Sequence, residues 1–344
     1  MNKRSFLKAG LMAALMANGM PALAQEVTLR MHQFLPPQAT VPAQILIPWA
    51  EAVGEASGGR IKVEVFSAMA LGGSPTQLID QVADGVVDIA WTLPGYTPGR
   101  FPRVEVFELP FMMTNAEATS RAYWDMYESD MADTDFADFH MLGAWVHGPG
   151  VIHVKGDAVE TVDDMDGLKL RGPTRVINDL LGELGATAIG MPVPALPENL
   201  AKGVIDGTVI PWEVTKALKI AELTDSHTEF LGEQTLYTAA FVLIMNKDSY
   251  DAMPADLQEI LGSLSGAEFS ANAGRIMQEA DAAGRAIAAE RGNTIVTLEG
   301  EDLAIWETAA QPVVERWLGE MAEKGIDGQD LLTRARALIA QYTM

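Results

Sequence analysis

Cysteine is absent from this 344-residue chain, which excludes disulfides, zinc–thiolate centres and thiol nucleophiles together. Positive charge is scarce as well: 24 lysines and arginines stand against 47 aspartates and glutamates, for a net charge of −23. A surface of that sign repels nucleic acid and anionic lipid, so neither is an expected partner. It repels an anionic ligand too, unless a pocket gathers the few cations. The five histidines are scattered, and HExxH, P-loop and GxGxxG patterns are all missing. Gly262-Ser263-Leu264-Ser265-Gly266 has the outline of a nucleophile elbow, but its centre is Leu264, not serine. An enzyme is therefore not expected, and neither is a cofactor. The 18 methionines read as core filler rather than a metal route.

What is present begins with an address. Lys3, Arg4 and Lys8 precede an apolar run from Ala9 to Met20, followed by Pro21-Ala22-Leu23-Ala24, with no acidic residue before Glu26. This is the order of a secretory signal peptide over residues 1–24, cleaved after Ala24. The run is shorter than the ~20 apolar residues a membrane span needs, and charges interrupt every later apolar stretch. Lys3-Arg4 resembles a twin-arginine pair whose first member is lysine, so the export route stays open. No lipobox cysteine is available for a lipid anchor. The expected location is the periplasm, and removal of three cations takes the charge from −23 to −26.

The remaining residues, about 320, exceed one comfortable core, so two lobes are expected. Strands are predicted over 27–34, 60–66 and 86–91, with helices over 42–56 and 75–84 between them. A second unit follows: an extended stretch over 141–154, strands at 168–171, 187–191 and 204–210, and helices at 175–184 and 196–202. A strand over 237–246 precedes a largely helical C-terminal region, interrupted by a strand at 294–298. The pattern predicts the α/β class, arranged as a two-lobed clamp of the periplasmic-binding-protein kind with a cleft between the lobes. Lobe one is expected to hold 25–148 plus about 237–276, and lobe two 149–236 plus about 277–344. A helix over 256–291 is interrupted on paper by Gly262, Gly266, Gly274 and Gly284.

Asp166-Gly167-Leu168-Lys169-Leu170-Arg171 resembles the signature of the solute-binding proteins of tripartite ATP-independent periplasmic (TRAP) transporters, the DctP family. Leu184-Gly185-Ala186 and Gly203-Val204-Ile205-Asp206-Gly207 also match, in order. So do Gly85-Val86-Val87-Asp88-Ile89, Leu109-Pro110-Phe111, Met245-Asn246-Lys247 and Met253-Pro254. Each motif is short; the ordered set covers nearly all of the chain after residue 24. The resemblance implies a clamp that closes over one small organic carboxylate and delivers it to TRAP membrane subunits. It also implies that Arg171 pairs with the carboxylate, a role that suits a planar guanidinium fork. From residue type alone, Arg171 would as readily pair at the surface with Asp164 or Asp166.

Two departures bear on the ligand. Ile210 stands where many members carry an amide, and Trp212-Glu213 follows Pro211. The stretch from His147 to His153 lacks the second arginine many members have there, leaving Arg175 as the nearest substitute. A dicarboxylate would then bury one charge poorly paired, whereas an apolar, aromatic wall suits an aromatic or hydroxyaromatic monocarboxylate. The alternatives are a keto acid or aliphatic carboxylate, or service to an ATP-dependent uptake system. A solute-sensing partner is neither supported nor excluded. Expected wall residues are Trp212, Trp91, Tyr96, Phe34 and Tyr237. Glu213 and His147 are expected to meet a ligand hydroxyl or keto oxygen, with Glu213 alternatively holding a bridging cation.

Overall fold

The computed structural model describes residues 25–343, so the expected signal peptide lies outside the described residues. Eleven strands form two sheets. β1 (Val27–His32), β2 (Ile61–Phe66), β3 (Ile89–Thr92), β4 (Phe139–Val146) and β10 (Ala240–Asn246) make the first, in the order β2-β1-β3-β10-β4. β5 (Gly150–Val154), β6 (Lys169–Gly172), β7 (Thr187–Gly190), β8 (Gly207–Pro211), β9 (Ser226–Phe230) and β11 (Thr294–Leu298) make the second, in the order β11-β9-β5-β8-β6-β7. β1 runs parallel to β2 and β3, and β6 runs parallel to β7 and β8. β10 enters the first sheet antiparallel, as β5 does the second. The chain is an α/β clamp of two lobes, one per sheet.

The helices are α1 (Ile47–Ala56), α2 (Leu78–Ala83), α3 (Ala116–Met126), α4 (Arg175–Glu183), α5 (Leu196–Ala201), α6 (Trp212–Leu218), α7 (Lys247–Asp251), α8 (Ala255–Ser263), α9 (Ala267–Arg291), α10 (Glu301–Glu323) and α11 (Gly328–Thr343). Among the described residues, no helix is long and apolar enough to cross a membrane. Most predicted elements fall within a few residues of their positions. Three differ for identifiable reasons. The stretch 141–154 is two strands in different sheets, because the chain leaves the first sheet at His147 and enters the second at Gly150. The predicted helix over 256–291 breaks at Gly266, whose φ of 91° is open to glycine and strained for other residues. α3 went unread although Asn115 caps it, its side chain accepting the Ala118 N–H at 2.8 Å.

α9 ties the lobes together. It packs on α3 and β4 of lobe one and on α6 of lobe two. α10 lies on α4, and α11 packs on α3. The α9–α6 contact is nearly backbone to backbone: a Cβ on Gly284 would stand 2.0 Å from the Trp212 carbonyl oxygen and 2.6 Å from Thr215 Oγ1. Gly319, exposed in α10 four residues before its end, has nothing within 4 Å of the same position. Gly319→Ala is expected to stabilise by up to about 1 kcal/mol through helix propensity. Gly284→Ala should instead destabilise by about 1–3 kcal/mol, since a carbonyl cannot yield as a flexible side chain can. Paired thermal melts check both signs.

Candidate functional site

The parallel strands of both sheets end at one place. Phe34 and Leu35 follow β1, Trp91 lies in β3, and Leu93 and Tyr96 follow it. Arg171 stands near the end of β6, with Pro173 beyond; Val209, Ile210 and Pro211 close β8. These side chains, with His147, Val193, Glu213, Val214, Tyr237, Ala239 and Phe241, line a narrow cavity. Its position obeys the rule that α/β sheets bind ligands beyond the carboxyl ends of their strands.

One wall is a stack of rings. Trp91 lies 4.6 Å from Phe34 at 19° and 5.1 Å from Phe241 at 14°. Tyr96 leans on Phe34 at 5.8 Å. Phe241 was not singled out from the sequence, yet the signal was there: residues 237, 239 and 241 share one face at a strand's period of two.

Opposite stands the charge. Arg171 is only 1% exposed. Its Nε donates to the Met191 carbonyl at 2.8 Å and its Nη1 reaches the Val209 carbonyl at 3.4 Å, while buried Nη2 has no partner. Burial pushes its pKa down, and the nearby Tyr96 and Tyr237 hydroxyls work against that. The alternative, a surface pairing with Asp164 or Asp166, is not made: Asp164 instead accepts hydrogen bonds from Thr161 and the backbone of Glu160. Among the described residues Arg171 has no carboxylate partner, and it is the one arginine or lysine lining the cavity. A buried cation left in this state costs several kcal/mol.

Other polar atoms around the cavity are also unmatched. Tyr237 Oη, Trp91 Nε1 and Glu213 Oε2 are buried without partners. Burial raises both tyrosine pKa values, keeping the hydroxyls protonated as donors. Tyr96 Oη accepts the Val193 N–H at 3.0 Å, which joins lobe one to lobe two beside the cavity. Burial pushes the Glu213 carboxyl up to about 7.

Three expectations are corrected. Trp212 is not in the cavity wall. β8 ends at Pro211 and α6 begins at once, so neighbouring side chains diverge: Glu213 lines the cavity while the indole turns away. There its Nε1–H donates to Glu229 Oε1 at 2.7 Å and its ring packs against His153 and His227. Arg175 is also outside the lining, because three carboxylates hold it: Glu105 twofold at 3.1 and 2.6 Å, Asp179 at 3.2 Å and Glu320 at 2.6 Å. The Glu105 pair joins α4 of lobe two to lobe one. His147 does line the cavity, but both nitrogens are committed to backbone. Nε2 accepts the Ala239 N–H at 3.0 Å, which assigns the proton to Nδ1, facing the Gly148 carbonyl at 2.5 Å. What it offers a ligand is a ring edge-on to Tyr237 and tilted against Phe241. The remaining expected residues, Phe34, Trp91, Tyr96, Arg171, Glu213 and Tyr237, are brought together.

Residues 33–320 match the family model described as bacterial extracellular solute-binding protein, family 7, or DctP. The chain belongs to the DctP family. A solved DctP-fold relative is a TRAP solute-binding protein from Rhodoferax ferrireducens in complex with copurified benzoate; it is 51% identical, with a TM-score of 0.90, over 92% of this chain and 98% of that one. A marine metagenome TRAP solute-binding protein specific for aromatic acid ligands is 43% identical, with a TM-score of 0.91, over 93% and 100% of the two chains. It was solved with metahydroxyphenylacetate and with 3-hydroxybenzoate. A third, from Bordetella bronchiseptica, carries (R)- and (S)-mandelate; it is 30% identical, with a TM-score of 0.84, over 91% and 99%. Members of the DctP family are solute-binding proteins, and this chain is a TRAP solute-binding protein.

A pair of histidines sits behind the site, in lobe two. His153 Nε2 faces the Ile210 carbonyl at 3.2 Å, so its Nδ1 accepts the His227 Nδ1–H at 2.7 Å. Burial lowers the pKa of His227 and of His147 from 6.5 to about 4, and holds that of His153 well below 6.5. In the unfolded chain all three titrate near 6.5, so folding excludes protons that the unfolded state binds. The contribution of these three rings to stability is therefore full above about pH 6.5 and is lost progressively as pH falls towards 4. Imidazole NMR titration should find all three neutral at pH 5.5.

Proposed function

We propose that this protein captures an aromatic monocarboxylate in the periplasm and delivers it to TRAP membrane subunits, with Arg171 as the anchor for the carboxylate. The observation that carries this reading is the buried guanidinium with one nitrogen unpartnered at a cavity that is otherwise largely apolar and aromatic. A carboxylate supplies the missing negative charge and accepts from Nη2, with the Tyr237 hydroxyl within the same lining. The ring of the acid then lies along the wall of Phe34, Trp91 and Phe241, where offset stacking adds to apolar burial. With a single cation in the lining, a dicarboxylate would bury its second charge unmatched. The benzoate, 3-hydroxybenzoate and mandelate held by the relatives support the same ligand class.

The mechanism follows from the division of the site. Arg171 and Glu213 come from lobe two; Phe34, Trp91 and Tyr96 come from lobe one. We take residues 25–148 with about 237–276 as lobe one and 149–236 with the following segment as lobe two. The boundary near 276 falls inside α9, and α11 sides with lobe one. A ligand touching both lobes favours the closed state by its differential affinity, and the Glu105–Arg175 and Tyr96–Val193 contacts form with closure. The closed protein is the form that docks on the membrane subunits.

A thermal-shift panel of aromatic, keto, aliphatic and dicarboxylic acids tests the class, with the largest upward shift expected for the aromatic monocarboxylates. Arg171→Ala should weaken the best of these by tenfold or more, from the ~1.5–3 kcal/mol of a charge-assisted hydrogen bond. The variant should melt no lower than the wild type without ligand, because an unpaired buried charge has been removed. Calorimetry with unchanged affinity would refute the anchor.

A further inference from the structure

We propose that Glu213 selects for a hydroxyl group on the ring of the bound acid, so that the preferred solute is a hydroxyaromatic carboxylate. The inference rests on the reading of the site as one for aromatic monocarboxylates and adds to it the residue that discriminates among them. Glu213 is 5% exposed and lines the cavity, yet its Oε2 meets no donor. The side chain is delivered there by rigid parts. Pro211 ends β8, α6 begins, and the Glu213 N–H is held by Asp281 Oδ1 at 2.7 Å from α9. No guanidinium or ammonium contributes to its surroundings; the Thr40 hydroxyl is the one side-chain donor beside the carboxyl, and Oε2 is left without a partner. Among the described residues, no cluster of three acids or histidines offers a metal site that would recruit it.

The cavity's unmatched groups therefore divide into two kinds. Arg171 Nη2, Trp91 Nε1 and Tyr237 Oη can donate; Glu213 Oε2 is a carboxyl oxygen. A plain carboxylate such as benzoate carries acceptors alone. It satisfies the donors and leaves Glu213 facing an aromatic C–H, still buried and unpaired. A ring hydroxyl brings the one thing missing, an O–H that donates to the carboxylate. Sites built around a hydroxyl discriminate strongly against the analogue lacking it, since the loss strands a buried polar group.

The test compares benzoate with matched hydroxy and fluoro derivatives, 3-hydroxybenzoate against 3-fluorobenzoate and 4-hydroxybenzoate against 4-fluorobenzoate, by calorimetry at pH 8. Fluorine nearly preserves size and cannot donate. In the wild type, at least one hydroxy acid should bind roughly ten- to hundredfold more tightly than both its fluoro partner and benzoate. In Glu213→Leu that ratio should collapse to about one or invert. Hydroxy and fluoro acids of equal wild-type affinity would overturn the assignment without any variant, so a Glu213→Leu protein that fails to fold leaves it decidable. A preserved ratio in a folded Glu213→Leu would overturn it too. If benzoate and all its derivatives fail to bind, the aromatic-acid reading itself falls, which is a separate outcome.

Discussion

A guanidinium sealed from water with one nitrogen unmatched is the constraint around which this protein is organised. Chain carbonyls from Met191 and Val209 fix Arg171 without neutralising it. That arrangement leaves a buried charge to be met from outside, the role proposed for a ligand carboxylate. The same logic would let a chain so rich in acids bind an anion. Its surface repels, but the positive charge sits in a low-dielectric enclosure where attraction is strongest. The arginines nearer the surface are spent on internal pairs: Arg175 on Glu105, Arg103 on Asp135, Arg334 on Asp130.

Much of this was legible in the sequence. The alternation of strand and helix pointed to the α/β class, and the Asp166–Arg171 motif pointed to the arginine that lies buried at the cavity. Seven of the nine expected site residues line the cavity, His147 among them with its ring alone. The failures share a cause. Trp212 was expected in the wall because Pro211 ends a strand, but a helix starts on the very next residue, and rotation by one position sends 212 and 213 to opposite sides. Periodicity locates elements; it does not locate the residue at which one period gives way to another. Arg175 and His147 failed differently. Each is close to the cleft, yet Glu105 and the backbone of Ala239 claim their donors and acceptors, and those partners lie 70 and 92 residues away along the chain. Long-range competition of this kind leaves no local trace.

Electrostatics in the interior are divided between the lobes' floor and the cavity. The histidines behind β8 are kept neutral by burial, so they add no cation that would rival Arg171. Burial likewise pushes Glu108, which accepts the Ala240 N–H at 3.1 Å under lobe one, up to about 7.

The 25 residues of α9, about 37 Å of helix at the standard rise, run from one lobe to the other and bury small side chains and glycines against each. The strands cross between sheets three times, after β4, after β9 and through α9 before β11. Neither lobe is a contiguous cassette. Recombination that swapped one of them for a relative's would have to cut the shared helix and re-fit both of its faces, so new ligand preferences in such a chain arise by substitution in the cavity wall rather than by exchange of whole modules.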